Sequence, residues 1–239
     1  MTYSFLVLSL LLLIPGFLVW LLRPDLRSVI YLMALASIPF AFTERLFYPD
    51  YWEPLFLFDL VNIIGFGIED ILFVTGLGAF TSTAWAFFTG QMYTGLSSLP
   101  RVRPLQSALL LLLLCFVMVA ILALIGVPMI YGAPIIMTIL GVAICAFRPD
   151  LLVPSLGGAA ITTLVYTTLC IVLAVLIPQV FELDWKTDQF LNLFVLGVPL
   201  EEIIYAAAAG FIATAFYPFV AHKRFAPKED LGEAGKHEG

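Results

Sequence analysis

Histidine, cysteine and charge are all scarce in this sequence. Of its 239 residues only 12% are charged, two are histidine and three are cysteine. Both histidines, His222 and His237, lie near the C-terminal end and outside every long apolar run, so an intramembrane metal site has no imidazole to draw on. The arginine of a Glu-Glu-x-x-x-Arg protease motif is missing as well. Cys115, Cys145 and Cys170 sit singly within apolar runs, form neither a CxxC pair nor a disulfide framework, and read as small buried hydrophobes. No lysine falls inside an apolar run, which removes a retinal Schiff base. No Gly-x-Gly-x-x-Gly joins a strand to a helix, because no segment reads as a strand, so a bound flavin or nicotinamide is not expected, and no cofactor is assigned. The net charge of -6, from 11 basic and 17 acidic side chains, argues against a nucleic-acid partner.

Apolar surface is what the chain has in excess. At 62% hydrophobic residues and a mean hydropathy of +1.06, it carries more than a water-soluble core can hide. A bilayer must be its solvent, and membrane lipid its first partner. A span takes about 20 mostly apolar residues, and seven runs qualify: 3–22, 28–46, 64–89, 105–126, 128–147, 155–177 and 190–219. The first lacks a basic leader and a small-residue cleavage site, so it is expected to be a span and not a removable signal peptide. Seven spans sort the basic residues. Arg23, Arg27, Arg101, Arg103, Arg148, Lys223, Arg224, Lys228 and Lys236 fall on one face, and only Arg45 and Lys186 on the other. By the positive-inside rule the N-terminus is outside and the tail inside, and the expected location is the cytoplasmic (plasma) membrane. Residues 222–239 read as a disordered cytoplasmic tail.

Two halves of the chain resemble each other. Arg23-Pro24-Asp25-Leu26 recurs as Arg148-Pro149-Asp150-Leu151, and Ile68-Glu69-Asp70-Ile71-Leu72-Phe73 as Leu200-Glu201-Glu202-Ile203-Ile204-Tyr205, with Gly78 matching Gly210 and Trp85 matching Tyr217. The expected architecture is therefore an all-α polytopic membrane protein of seven transmembrane helices: a three-helix repeat in 1–104, a connector helix in 105–127 and a second, parallel repeat in 128–221.

Glu69, Asp70, Glu201 and Glu202 fall inside apolar runs with no basic residue in either run to neutralise them. An ionised side chain at mid-helix costs about 3 kcal/mol on insertion scales, so such acids usually face the bundle interior and do work there. Low dielectric and like-charged neighbours favour keeping a proton on one or more of them. Three roles stay open on this evidence: acid and base for an apolar substrate, a proton or cation pathway, or hydrogen bonds that hold helices together. Phe73 and Tyr205, four residues after each leading acid, share its helix face and could stabilise a carbocation, or be ordinary packing. Tyr48, Tyr51 and Trp52, in the Phe47–Leu60 stretch, read first as an aromatic interface belt and second as part of a site. Glu44 and Arg45 read as an interfacial ion pair.

The motifs Gly67-Ile68-Glu69-Asp70-Ile71-Leu72-Phe73 and Pro199-Leu200-Glu201-Glu202-Ile203-Ile204-Tyr205 resemble the Pro-x-Glu-Glu-x-x-Phe signature of the membrane-integral lycopene cyclases, in which two related domains occur as a heterodimer or fused in one chain. The likeness covers roughly 25–90 and 148–219, with Gly67, Asp70 and Tyr205 departing from the signature. It implies a lycopene β-cyclase that converts the acyclic ψ-end of lycopene to a β-ionone ring by protonation, ring closure and proton loss, without net redox change. Glu201 and Glu202 are then the implied acid and base, Glu69 and Asp70 share or support that role, and Phe73, Tyr205, Trp52 and Tyr48 are implied substrate contacts, with no metal. Alternatives are a proton-coupled transporter or a non-catalytic carotenoid- or lipid-binding protein, and a homodimer stays open.

Overall fold

Within a bilayer a chain must satisfy its own backbone polar groups, so long apolar runs should form helices. The computed structural model, which describes residues 3–96 and 104–227, bears this out. Helix α1 is Ser4–Leu22, and α2, Arg27–Ser37, tightens into a 3₁₀ segment, Ile38–Leu46, at Pro39, whose missing N–H cannot serve the α-helical ladder. After an irregular stretch come α3 (Leu60–Ile64), α4 (Ile68–Thr81) and α5 (Ala84–Phe88), then β1 (Gln91–Gly95). The second part holds α6 (Pro104–Leu124), α7 (Met129–Phe147), α8 (Leu152–Leu176), α9 (Val180–Leu183), β2 (Phe194–Val195), β3 (Val198–Pro199), α10 (Leu200–Val220) and β4 (Lys223–Pro227).

Among the described residues, six helical segments are long and apolar enough to cross a membrane: Ser4–Leu22, Pro24–Leu46, Pro104–Leu124, Met129–Phe147, Pro149–Leu176 and Leu200–Val220. The expected span at 64–89 is broken into α4 and α5. Thr81, Ser82 and Thr83 turn their hydroxyls back onto the carbonyls of Leu77, Gly78 and Ala79 at 2.7, 2.7 and 3.0 Å, and such bonds compete with the helix ladder. The run at 190–219 also starts late. Its first ten residues include the β2–β3 hairpin, in which Leu196 (φ 54°) and Gly197 (φ 80°) are both left-handed, as a two-residue turn of this type requires.

That hairpin corrects the expectation of no strands, and so does a second sheet. Strands β1 and β4 pair antiparallel with Tyr93 opposite Phe225, so residues 223–227 are ordered where a disordered tail was expected. Arg101, Arg103, Lys228, Lys236, His237 and the rest of that tail lie outside the described residues.

Helix α4 packs against α1 and α2, and α10 packs against α7 and α8, the same arrangement twice. Matching side chains explain the close approach. A Cβ at Gly78 would lie 2.0 Å from Ser37 Oγ of α2, and one at Gly210 would lie 2.7 Å from Thr162 of α8. Below these packed faces, Arg23 and Asp25 form a two-pronged ion pair, with Arg23 also donating to the carbonyls of Ala86 and Gln91 at 3.0 and 2.7 Å. Arg148 and Asp150 do the same, with Arg148 donating to the Lys223 carbonyl at 2.9 Å. The recurring Arg-Pro-Asp-Leu is thus a clamp on the sheet that follows each acid-bearing helix. Asp25, by its hydrogen bond, holds the Arg23 guanidinium above its ordinary pKa. Helix α6 leans on α7, and none of its residues is fully buried.

The segment at 47–57 folds inward. Tyr51 and Trp52 are only 3% and 6% exposed, which corrects the interface-belt reading. Trp52 pairs with Trp185 through an antiparallel bridge, with Glu53 N–H on the Asp184 carbonyl and Lys186 N–H on the Tyr51 carbonyl, each at 2.8 Å. A Glu53–Lys186 ion pair at 2.9 Å flanks it.

Candidate active site

Each acid pair opens its helix. Glu69 and Asp70 are in the first turn of α4, Glu201 and Glu202 in that of α10, where the helix dipole favours negative charge. Neighbouring helix residues project about 100° apart, and the members of each pair go separate ways.

The leading acids turn away from the centre. Glu69 Oε1 accepts the Leu57 N–H at 2.7 Å, and Glu201 Oε1 accepts the Leu191 N–H at 2.9 Å and the Tyr131 hydroxyl at 3.3 Å. The second oxygen of each is buried with no hydrogen-bond partner among the described residues. These acids tie the irregular loops onto the helices. Gly67 leaves room for one of them, since a Cβ there would come 2.5 Å from Glu69 Oε2.

The second acids turn inward, onto a cavity of about 210 Å³ between α2 and its 3₁₀ extension, α4, α6, α7 and α10. Glu202 is held at both oxygens: Tyr166 donates to Oε2 at 2.6 Å, while Tyr51 and the Trp185 indole donate to Oε1 at 3.0 and 2.9 Å. Burial, with Glu202 alongside, pushes the Tyr51 phenol well above its ordinary pKa, so Tyr51 keeps its proton and remains a donor. Asp70 Oδ2 accepts the Gly67 N–H at 2.6 Å.

A third acid joins them. Glu44 is 6% exposed, accepts the Trp52 indole N–H at 2.6 Å and meets the Asp70 carboxyl in a hydrogen-bonding contact. It makes no ion pair with Arg45; the pairs among the described residues are Arg23–Asp25, Arg148–Asp150 and Lys186–Glu53. The expected Glu44–Arg45 pair is corrected because a buried indole needs an acceptor, and this carboxyl is within reach.

The rest of the lining is mostly apolar and aromatic, with the hydroxyls of Ser37, Thr43 and Thr81 among it. Phe73 and Tyr205, three residues after Asp70 and Glu202, both line the cavity with ring centres 6.4 Å apart. They therefore accompany the second acids and not the leading ones. Trp52 lines the cavity too. Tyr48 packs edge-on to Phe56 at 5.5 Å and is not part of the lining. Glu69 and Glu201 are likewise absent from it. Sequence reasoning missed Glu44, Tyr166 and Trp185 as members of the site, and gave Tyr51 that role only as its second reading. Trp185 carried a signal, since it stands at nearly the same distance before its acid pair as Trp52 before the first. Among the described residues no three His, Cys, Asp or Glu side chains cluster as metal ligands.

Such a site defines a class: a helical membrane protein with buried acids around an apolar hollow. Residues 128–220, from the turn before α7 to the end of α10, match the family model described as lycopene cyclase, so this segment of the chain is similar to a lycopene cyclase family. No curated protein and no solved structure matches it.

Proposed function

We propose that this chain is a fused, two-repeat lycopene β-cyclase. One observation carries the reading: Asp70 and Glu202, the second acids of the two matched motifs, face one apolar cavity bounded by aromatic rings. A carboxylic acid there can add a proton to the terminal double bond of lycopene, the resulting cation closes onto the neighbouring double bond, and a carboxylate removes a ring proton. Formula and oxidation state are unchanged, so the reaction consumes no oxidant or reductant. The faces of Phe73 and Tyr205 stabilise the intermediate cation, and the surrounding apolar wall excludes the water that would trap it. Lycopene reaches the cavity from the bilayer. In this reading Glu202 and Asp70 do the chemistry, while Glu201 and Glu69 hold the loops that seal the site.

The organisation proposed is a repeat at 1–104, a connector at 105–127 and a repeat at 128–221, with α4 and α5 together making the seventh crossing. The repeats run parallel about an axis along the membrane normal. Self-pairing of equivalent segments supports this: Trp52 bridges Trp185 and Tyr93 faces Phe225, as residues astride a two-fold axis do. The N-terminus is outside and the C-terminus in the cytoplasm.

The test is expression in lycopene-accumulating bacteria followed by pigment chromatography. Cyclic carotenoid is expected from the wild type and none from Glu202→Gln at equal membrane abundance. Unchanged lycopene with wild-type protein present in the membrane would sink the proposal, and proton uptake into liposomes by that same protein would point to a transporter.

A further inference from the structure

Cyclisation needs one group to give a proton and another, elsewhere on the ring, to take one. Two identical repeats would supply two identical acids, yet the cavity is not symmetric. Trp52 and Trp185 pair with each other across the molecule, and each aims its indole N–H at a carboxylate. Trp185 reaches Glu202, but Trp52 reaches Glu44. At the same offset from the matching Arg-Pro-Asp-Leu, the second half carries Leu169 where the first has Glu44. Asp70, one methylene shorter than Glu202, meets Glu44 instead of the indole.

We infer that Glu44 and Asp70 form a carboxyl pair that shares one proton and donates it to the substrate, and that Glu202 is the acceptor; this division of roles rests on the cyclase reading above. Two carboxyl groups in hydrogen-bonding contact need a proton between them, since two carboxylates at that range repel. The ion pairs of the described residues all lie elsewhere, so no arginine or lysine in them relieves that repulsion. Glu202 is arranged in the opposite way. Both its oxygens are covered, by three donors from Tyr51, Tyr166 and Trp185, which is how a buried carboxylate is solvated. All three acids line the same cavity.

The step balances. The proton shared by Glu44 and Asp70 bonds to a terminal alkene carbon, the π pair of the neighbouring double bond becomes the ring-closing bond, and a ring C–H loses its proton to Glu202 while its electron pair becomes the ring double bond. After product leaves, Glu202 gives its proton up to solution and the Glu44–Asp70 pair takes a fresh one from it.

Turnover of lycopene in D₂O by the full-length protein in membranes, read by mass spectrometry, separates the roles. Wild type should place one deuterium in each ring. Glu44→Gln should lower ring formation by about 10²-fold or more and leave recovered lycopene unlabelled, while Glu44→Asp restores part of the rate. Glu202→Gln should also form few rings, yet its recovered lycopene should carry deuterium, because the cation forms and gives its proton back. Label in Glu44→Gln with none in Glu202→Gln would reverse the assignment. Absence of label in both, or a wild-type rate in Glu44→Gln at equal membrane abundance, would overturn it. Wild-type protein that makes no ring at all would instead defeat the cyclase reading itself.

Discussion

Glu201 and Glu202 are neighbours in the chain, but one bonds a loop amide and the other faces the cavity. Glu201→Gln keeps an oxygen for the Leu191 N–H and is expected to retain more than a tenth of wild-type ring formation in the pigment assay, whereas Glu202→Gln falls at least about 100-fold. The hydroxyl of Tyr166 bonds Glu202, the carboxylate of the proposed mechanism, and hydrogen bonds to charged groups are worth about 1.5–3 kcal/mol. Tyr166→Phe should therefore slow ring formation by roughly 10- to 100-fold at unchanged membrane abundance. At this scale the sequence was half legible. Four acids in apolar runs stand out by their desolvation cost, but Glu44 sits next to Arg45, and adjacency in sequence suggested an ion pair that the inward turn of the 3₁₀ segment prevents.

At the scale of elements, helix pairs rather than single helices carry the arrangement. Gly210 lets α10 approach α8, and an added Cβ would meet both Thr162 and, at 2.8 Å, the Gly158 carbonyl. Backbone cannot move aside as a side chain can, so Gly210→Ala should destabilise the fold by about 1–3 kcal/mol, measurable as a lower unfolding temperature in detergent. Arg148 joins the end of α7 to β4 with a two-pronged bond to Asp150 and a further bond to Lys223. Lysine keeps the charge without the planar fork, so Arg148→Lys should also lower that temperature. The apolar runs announced most helices. They concealed the break at Ser82–Thr83 and the hairpin before α10, because hydropathy measures solvent preference and is blind to where hydroxyls fold back or a two-residue turn forms.

Across the whole molecule, the cavity is assembled from both parts of the chain, with α2, its 3₁₀ extension and α4 on one side and α6, α7 and α10 on the other. Cys115 of α6 lines that space. Cys115→Trp should occupy it and abolish ring formation, while the protein still accumulates in membranes. Reporter fusions should place the C-terminus in the cytoplasm and the N-terminus outside, and the reverse would refute the proposed orientation.

The sequence by itself determined that the chain lives in a bilayer as helices, and that acids recur at matched places in two halves, because burial cost and hydrophobic length are properties of composition and spacing. Which acid of each pair meets the cavity, that Glu44 joins them, and that tryptophans from both halves meet at the centre were decided only by tertiary structure. In helices that are apolar on every side the pattern names no inner face, and only packing against neighbours chooses one.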